Sequence, residues 1–425
     1  MQPEKPSSRI PWDRLSRRFH INVRYFAENS AILTLNYALS VLGGLITGYL
    51  VARVLPAELY GGYRFGLAVT GFVSLITLPS LESAVAREIA KKGPAETPLQ
   101  FTILANAVLC LVGALALVLI IPLLGIWERE SLAPLLLVMA AFFIPLQLSS
   151  TFFSGIVTGT GEFRRLLWVN LVQTLIIVCL VPLTLFFTQS LPALYAVAVG
   201  VPGLVVVAAF WGQLGRFPSR ERSWRVIKYG TLLSLNTIPV AIASQLDSFI
   251  IAGMFGLKQL ALFQVAILVP EQLKVWFKSL MPVSFSRLAT LEDSWESRRK
   301  VRNVTGLLML AVGVGVAVYA TLAPWLCALL FPNYAGTDIV PLTQLSAALL
   351  VVVPCSLLSQ YLEAHGMVRS LQWANWLSMI LFVIALFVLT PTMGLAGAIL
   401  ARALLRGVFA LANLFSLLTV PLVRD

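Results

Sequence analysis

Charge is what this 425-residue chain is poorest in. Asp, Glu, Lys and Arg make up 12% of it, against 58% apolar residues and a mean hydropathy of +0.87. A soluble domain carries about 25% charged residues, so water is the wrong solvent for most of this surface. Histidine is nearly absent: His20 and His365 are the two, too few for a histidine-rich metal centre. The four cysteines (Cys110, Cys179, Cys327 and Cys355) lie far apart inside apolar runs and match neither a disulfide framework nor a metal knuckle. The segment from Met1 to Arg24 is polar and basic, without the apolar core and cleavage site of a signal peptide, and is expected to stay attached.

Long apolar runs are what the chain does have. In hydrocarbon every backbone donor and acceptor must be paired within the protein, which leaves helices or closed barrels. Barrel strands alternate polar and apolar residues over about ten positions. Here the runs are continuous, so the expectation is an all-α integral membrane protein. Spans of about 20 residues fall near 30–54, 61–85, 98–122, 131–157, 166–188 and 191–214. The second half places them near 229–254, 260–286, 304–330, 338–362, 370–391 and 395–419. The last two are separated only by a turn from Pro391 to Gly394.

Lys and Arg in short loops set orientation, because they stay on the cytoplasmic side. Of 31 basic residues, 23 fall on the termini and on alternate loops, including Arg87, Arg164, Arg165, Arg216, Arg287 and Arg369. The opposite side holds Arg53, Arg64, Arg129 and Lys258. Both termini are therefore expected in the cytoplasm. Ile10 to Phe26 mixes apolar residues with arginines; it reads equally as an interfacial amphipathic helix or as a solvated basic tail.

The spans divide into two sets of six. A shift of 200 residues aligns Leu35-Asn36 with Leu235-Asn236, Ala52 with Ala252 and Arg87 with Arg287. Identities are few, but loops, basic clusters and helix lengths keep the same register. The expected organisation is a basic segment over 1–28, a first lobe over 29–214, a linker over 215–228 and a second lobe over 229–425. With six helices each, the lobes share one orientation, which implies a parallel pseudo-twofold repeat about the membrane normal.

Ionisable groups inside spans are costly, roughly 2.5–3.5 kcal/mol each at a helix centre. Glu271, Lys274 and Lys278 share one face of the eighth span, and Arg402 and Arg406 one face of the twelfth. Asp247 and Gln245 lie in the seventh, Arg64 in the second, and Asn36 and Asn236 at matching places in the first and seventh. One reading is a positive cavity between the lobes that holds an anionic head group. The other is structural: Glu271 pairs with Lys274, Asp247 with an arginine, and Lys278 snorkels to the cytoplasm. Arg87 and Arg287 close the second and eighth spans, as topological anchors or as cations at the cavity mouth.

Val51-Ala-Arg-Val-Leu-Pro-Ala-Glu-Leu-Tyr-Gly-Gly-Tyr63, followed by Ser83-Ala-Val-Ala-Arg87, resembles the first hairpin of polysaccharide-unit flippases. These Wzx-type proteins belong to the multidrug/oligosaccharidyl-lipid/polysaccharide (MOP) exporter superfamily, and the fold implied is MATE-like. Gln245-Leu-Asp247-Ser-Phe-Ile-Ile-Ala-Gly-Met-Phe-Gly256 and Met281-Pro-Val-Ser-Phe-Ser-Arg287 are similar to the family's seventh helix and eighth-helix ending. Thr158-Gly-Thr-Gly-Glu-Phe-Arg164 resembles the loop after its fourth. One departure is Phe263, where the family usually has tyrosine.

The resemblance implies transfer of an undecaprenyl-diphosphate-linked sugar unit from the inner to the outer leaflet of a bacterial cytoplasmic membrane. It also implies alternating access coupled to a proton or sodium gradient, in the service of lipopolysaccharide or exopolysaccharide assembly beside a glycan polymerase. Asp247 and Glu271 are then the candidate coupling carboxylates. No cofactor and no nucleic acid is expected. A drug-cation antiporter of the same fold is the alternative, and it would favour an acidic or aromatic cavity. A glycan polymerase or ligase is disfavoured by short outer loops such as Leu55 to Tyr60 and Pro332 to Thr337, and no catalytic constellation stands out.

Overall fold

The structure is a computed structural model that describes residues 23–123, 132–219, 221, 224–279, 288, 293–334, 338–365 and 367–420. The amphipathic stretch expected over 10–26 therefore lies almost wholly outside the described residues. Among the described residues fifteen α-helices follow in order, beginning with α1 (Val23–Val54), α2 (Ala57–Val73), α3 (Leu81–Lys92), α4 (Leu99–Leu123), α5 (Leu132–Thr160) and α6 (Phe163–Phe187). The first half closes with α7 (Leu191–Tyr195) and α8 (Val201–Trp211). The second half comprises α9 (Arg225–Phe255), α10 (Leu257–Ser279), α11 (Trp295–Leu330), α12 (Ile339–Ser346), α13 (Ala348–Val351), α14 (Ser356–Ala364) and α15 (Val368–Thr419).

Nine stretches among the described residues are long and apolar enough to cross a membrane. Three features bring the number to about twelve. Gly394 sits at φ 61° inside α15 and divides it into two spans; a residue with a Cβ would resist that left-handed turn. The pair α2 and α3 is one span bent by 43°. Its break falls at Leu78, which takes a positive φ of 59° just before Pro79. The remaining span is α10, whose charged face lowers its hydropathy.

The apolar surplus faces outward. Leu104, Leu310, Phe186 and Phe415 are all exposed, as lipid-facing side chains are. Trp168, Trp211, Trp224, Trp295 and Trp373 are exposed at one end of their helices, the end that carries the basic loops. That placement matches an aromatic belt at a membrane interface.

The repeat is visible in side-chain contacts. Asn36 on α1 accepts a hydrogen bond from Asn170 on α6 at 2.6 Å. At the corresponding place in the other half, Asn236 on α9 accepts one from Gln372 on α15. Helix α2 begins at Ala57 and α10 at Leu257, and the two pack on each other across the lobe interface. Gly61 makes that approach feasible: a Cβ there would lie 1.8 Å from the Leu257 carbonyl oxygen.

The basic end is tied together by ion pairs. Glu162, between α5 and α6, meets Arg216 at 2.6 Å and Arg165 at 3.2 Å. Partial burial pushes its carboxyl up, but the hydrogen bonds and charge of Arg216 and Arg165 outweigh this and hold it below the usual carboxylate range. In the second half Arg298, 2% exposed, donates to both carboxylate oxygens of Asp293 at 2.8 and 2.7 Å. It also caps the last helix through the carbonyls of Leu417 and Val420 at 3.0 and 2.6 Å.

Candidate functional site

Two cavities open along the lobe interface. The first, of about 600 Å³, is walled by α2, α9, α10, α14 and α15. Helical spacing delivers its charges. Glu271 and Lys274 stand one turn apart on α10, Arg402 and Arg406 one turn apart on α15, and Arg64 reaches in from α2.

These groups form one network. Arg402 lies 2.6 Å from the buried Asp247 carboxylate and 2.9 Å from Glu271, and it donates to the Ser244 carbonyl at 3.3 Å. Arg406 and Lys274 both pair with Glu271, and Arg406 also donates to the Leu349 carbonyl at 2.8 Å. Exposure separates their roles. The Asp247 side chain is 0% exposed and that of Arg402 9%, whereas Lys274 keeps 30% of its side chain open. Arg402 is thus a strut that neutralises a buried acid, and Lys274 is the cation most free to meet a ligand. Among the described residues four cations stand around this cavity, Arg64, Lys274, Arg402 and Arg406, against two carboxylates, Asp247 and Glu271.

Arg64 has a special position. Its Nε donates to Gln264 Oε1 at 3.0 Å, and a second guanidinium nitrogen bonds the same oxygen. The two residues are 200 positions apart, so each is the other's counterpart in the repeat. Counterparts that touch must lie close to the pseudo-twofold axis. Gln264 then donates to Ser248 Oγ at 3.0 Å, and Ser248 reaches Asp247 Oδ1 at 3.4 Å. A polar chain therefore runs from the lobe interface into the ion network.

The second cavity, of about 630 Å³, belongs mainly to the first half and shares Arg64 with the first. Its walls come from α1, α2, α5, α6 and the α7–α8 segment, with Leu268 and Gln272 from α10. Arg64 is its one charged lining side chain among the described residues; amides, hydroxyls and tyrosines supply the rest of its polarity.

The residues expected from sequence fall into three groups. Arg64, Lys274, Arg402, Arg406, Glu271 and Gln245 all line the first cavity, with Asp247 buried directly behind Arg402. Asn36 and Asn236 stand behind the walls and hold the residues that do line them: Asn170 by its side chain, and Asn375 through the Asn236 carbonyl. Arg87 lies on neither wall; it is exposed on α3 with its guanidinium 4.3 Å from the Tyr229 ring centre. The side chain of Lys278 and the whole of Arg287 lie outside the described residues. Sequence reasoning missed Gln147, Gln173, Gln264 and the tyrosines of the second cavity. Neutral polar residues carry a smaller insertion penalty than charges, so nothing in the hydropathy pattern singled them out.

Comparison with known proteins adds three findings. Residues 26–273 match the model of a family described as Polysaccharide biosynthesis protein. Among curated protein sequences, none matches. Solved structures share the fold: an inward-facing multidrug resistance MATE family transporter of the MOP superfamily has a TM-score of 0.68 at 17% identity, covering 88% of this chain and 92% of that one. An outward-facing multidrug resistance MATE family transporter has a TM-score of 0.62 at 15% identity, covering 92% and 94%. A MOP superfamily transporter from Pyrococcus furiosus, described as having a binding pocket of reverse polarity that suggests a different function, has a TM-score of 0.61 at 14% identity, again covering 92% and 94%.

Proposed function

The chain belongs to the polysaccharide biosynthesis protein family, and from that premise we propose that it flips a lipid-linked oligosaccharide across a membrane by alternating access. The observation that carries this reading is the charge of the first cavity. Among the described residues four cations face two carboxylates there, a surplus of two positive charges. A diphosphate diester carries two negative charges and complements it. Such a surplus is expensive in a membrane, so a ligand that neutralises it explains why it is kept. The drug-cation antiporter, suggested by the multidrug MATE likeness, is disfavoured because the same surplus repels a cation.

In this reading Lys274 and Arg64 contact the phosphates first. Neither leaves a bare buried charge when it turns away: Glu271 retains Arg402 and Arg406, and Gln264 is neutral. Arg406 extends the cationic path. When a phosphate draws Arg406 and Lys274 off Glu271, that carboxylate becomes the natural taker of a coupling proton or sodium ion, with Asp247 behind it. The basic loops and the tryptophans at one end support cytoplasmic termini in a bacterial inner membrane, where a glycan polymerase would receive the product.

The test is reconstitution in vesicles with a fluorescent polyprenyl-diphosphate disaccharide, its leaflet read by a membrane-impermeant quencher. Wild type should equilibrate the lipid. Lys274→Gln and Arg64→Gln should each slow transfer by about tenfold or more, the worth of one charge-assisted hydrogen bond. Efflux of organic cations without lipid transfer would refute the reading.

A further inference from the structure

We propose that the second cavity is a separate subsite for the sugar portion of the lipid-linked substrate, and that it selects glycans that are uncharged and rich in hydroxyl groups. The inference rests on the flippase reading above and goes beyond it, to the chemical class of the sugar. Its basis is the fixed orientation of the side-chain amides on the cavity wall. Gln173 donates through Nε2 to the Pro202 carbonyl at 2.9 Å, and a carbonyl can only accept. Gln147 donates through Nε2 to Thr77 Oγ1 at 3.0 Å, while that hydroxyl spends its own proton on the Ser74 carbonyl at 2.7 Å. Both amides are thus locked with the nitrogen toward the protein. Their carbonyl oxygens have no partner among the described residues.

Tyr60 also lines this cavity; it is 1% exposed, and its hydroxyl has no partner among the described residues. The Tyr60 hydroxyl can donate or accept, but the Gln147 and Gln173 oxygens can only accept, and uncommitted acceptors in a low-dielectric site call for a ligand that brings donors. Sugar hydroxyls do so. A uronate or phosphate brings further acceptors, would meet the amide oxygens unfavourably, and would find Arg64 as its single cation among the described residues. At about 630 Å³ the space lies within the range of small-ligand sites. Arg64, shared with the cationic cavity, marks where the diphosphate ends and the sugar begins.

Binding of three probes to the purified full-length protein tests this: polyprenyl diphosphate without sugar, the same lipid with a neutral dihexose, and the same lipid with a diuronate. The expected order is neutral dihexose tightest, with the diuronate no tighter than the bare lipid. Gln147→Met/Gln173→Met, which keeps side-chain size, should remove the dihexose advantage, a loss of about fivefold or more for two hydrogen bonds, and leave the bare lipid unchanged. Equal binding of dihexose and diuronate by wild type, or a dihexose advantage intact in the double variant, would overturn the assignment. Failure of the bare lipid itself to bind would instead count against the flippase reading.

Discussion

Replacing Arg402 by alanine should cost the protein its stability rather than merely its transport. Its guanidinium lies 2.6 Å from Asp247, whose side chain is 0% exposed, and 2.9 Å from Glu271. Glu271 retains Lys274 and Arg406 when Arg402 is gone, but Asp247 has no other cation at salt-bridge distance among the described residues. Removing one partner of a buried pair costs about 3–5 kcal/mol, because the remaining charge stays desolvated and uncompensated. For a chain this long, about 1 °C is lost per kcal/mol, so the melting temperature in detergent should fall by about 3–5 °C. Membrane abundance should fall with it. Asp247→Asn in the Arg402→Gln background removes the stranded charge, and a double-mutant cycle should recover about 2 kcal/mol or more of coupling. Lys274→Gln serves as the control, since its charge is partly solvated. If Arg402→Ala melts with the wild type and the cycle shows no coupling, the strut is not what the geometry says.

Gly61→Val should block assembly of the two lobes, since even a Cβ would lie 1.8 Å from the Leu257 carbonyl oxygen; normal melting and transport in that variant would contradict the close α2–α10 approach. The Glu162 cluster gives a pH signature. Its carboxyl is held below the usual range, so it stabilises the fold above the ordinary carboxylate pKa and loses that contribution as pH falls through the lowered one. Wild type should therefore melt higher than Glu162→Gln at pH 7, with the gap closing in acid; a gap independent of pH would refute the assignment. Tyr361→Phe removes a hydrogen bond at 3.0 Å to Asp293 and should destabilise by about 1 kcal/mol, measured by thermal melting. A larger loss would mean that Tyr361 orders the Arg298 cap on the last helix as well.

The spans were legible because hydrocarbon thickness imposes a length that any apolar run of twenty residues announces. The bends were not. The span expected over 61–85 is in fact α2 and α3 with a break at Leu78, and a leucine gives no hint of a positive φ. The separation near Pro391 to Gly394 was readable, since glycine is the residue such a turn requires. Embedded charges could be counted from sequence, but not paired. That Arg402 serves Asp247 while Lys274 stays open depends on how α15 and α9 face each other across more than 150 residues of chain. The second cavity was invisible for another reason. Gln147, Gln173 and Asn170 are ordinary residues until the fold points three amides into one space.

The contact between Arg64 and Gln264 has a further consequence. A cavity with true twofold symmetry offers an elongated ligand two equivalent poses, head one way or the other, with equal energy. Here the two positions at the axis hold a cation and an amide; among the described residues the other charged groups of the cavities gather in the second lobe, and Arg64 is the one charge lining the first-lobe cavity. The degeneracy is lifted at its centre. A molecule with unlike ends meets one orientation of lowest energy, so the fold keeps the mechanical advantages of a repeat while its chemistry reads direction.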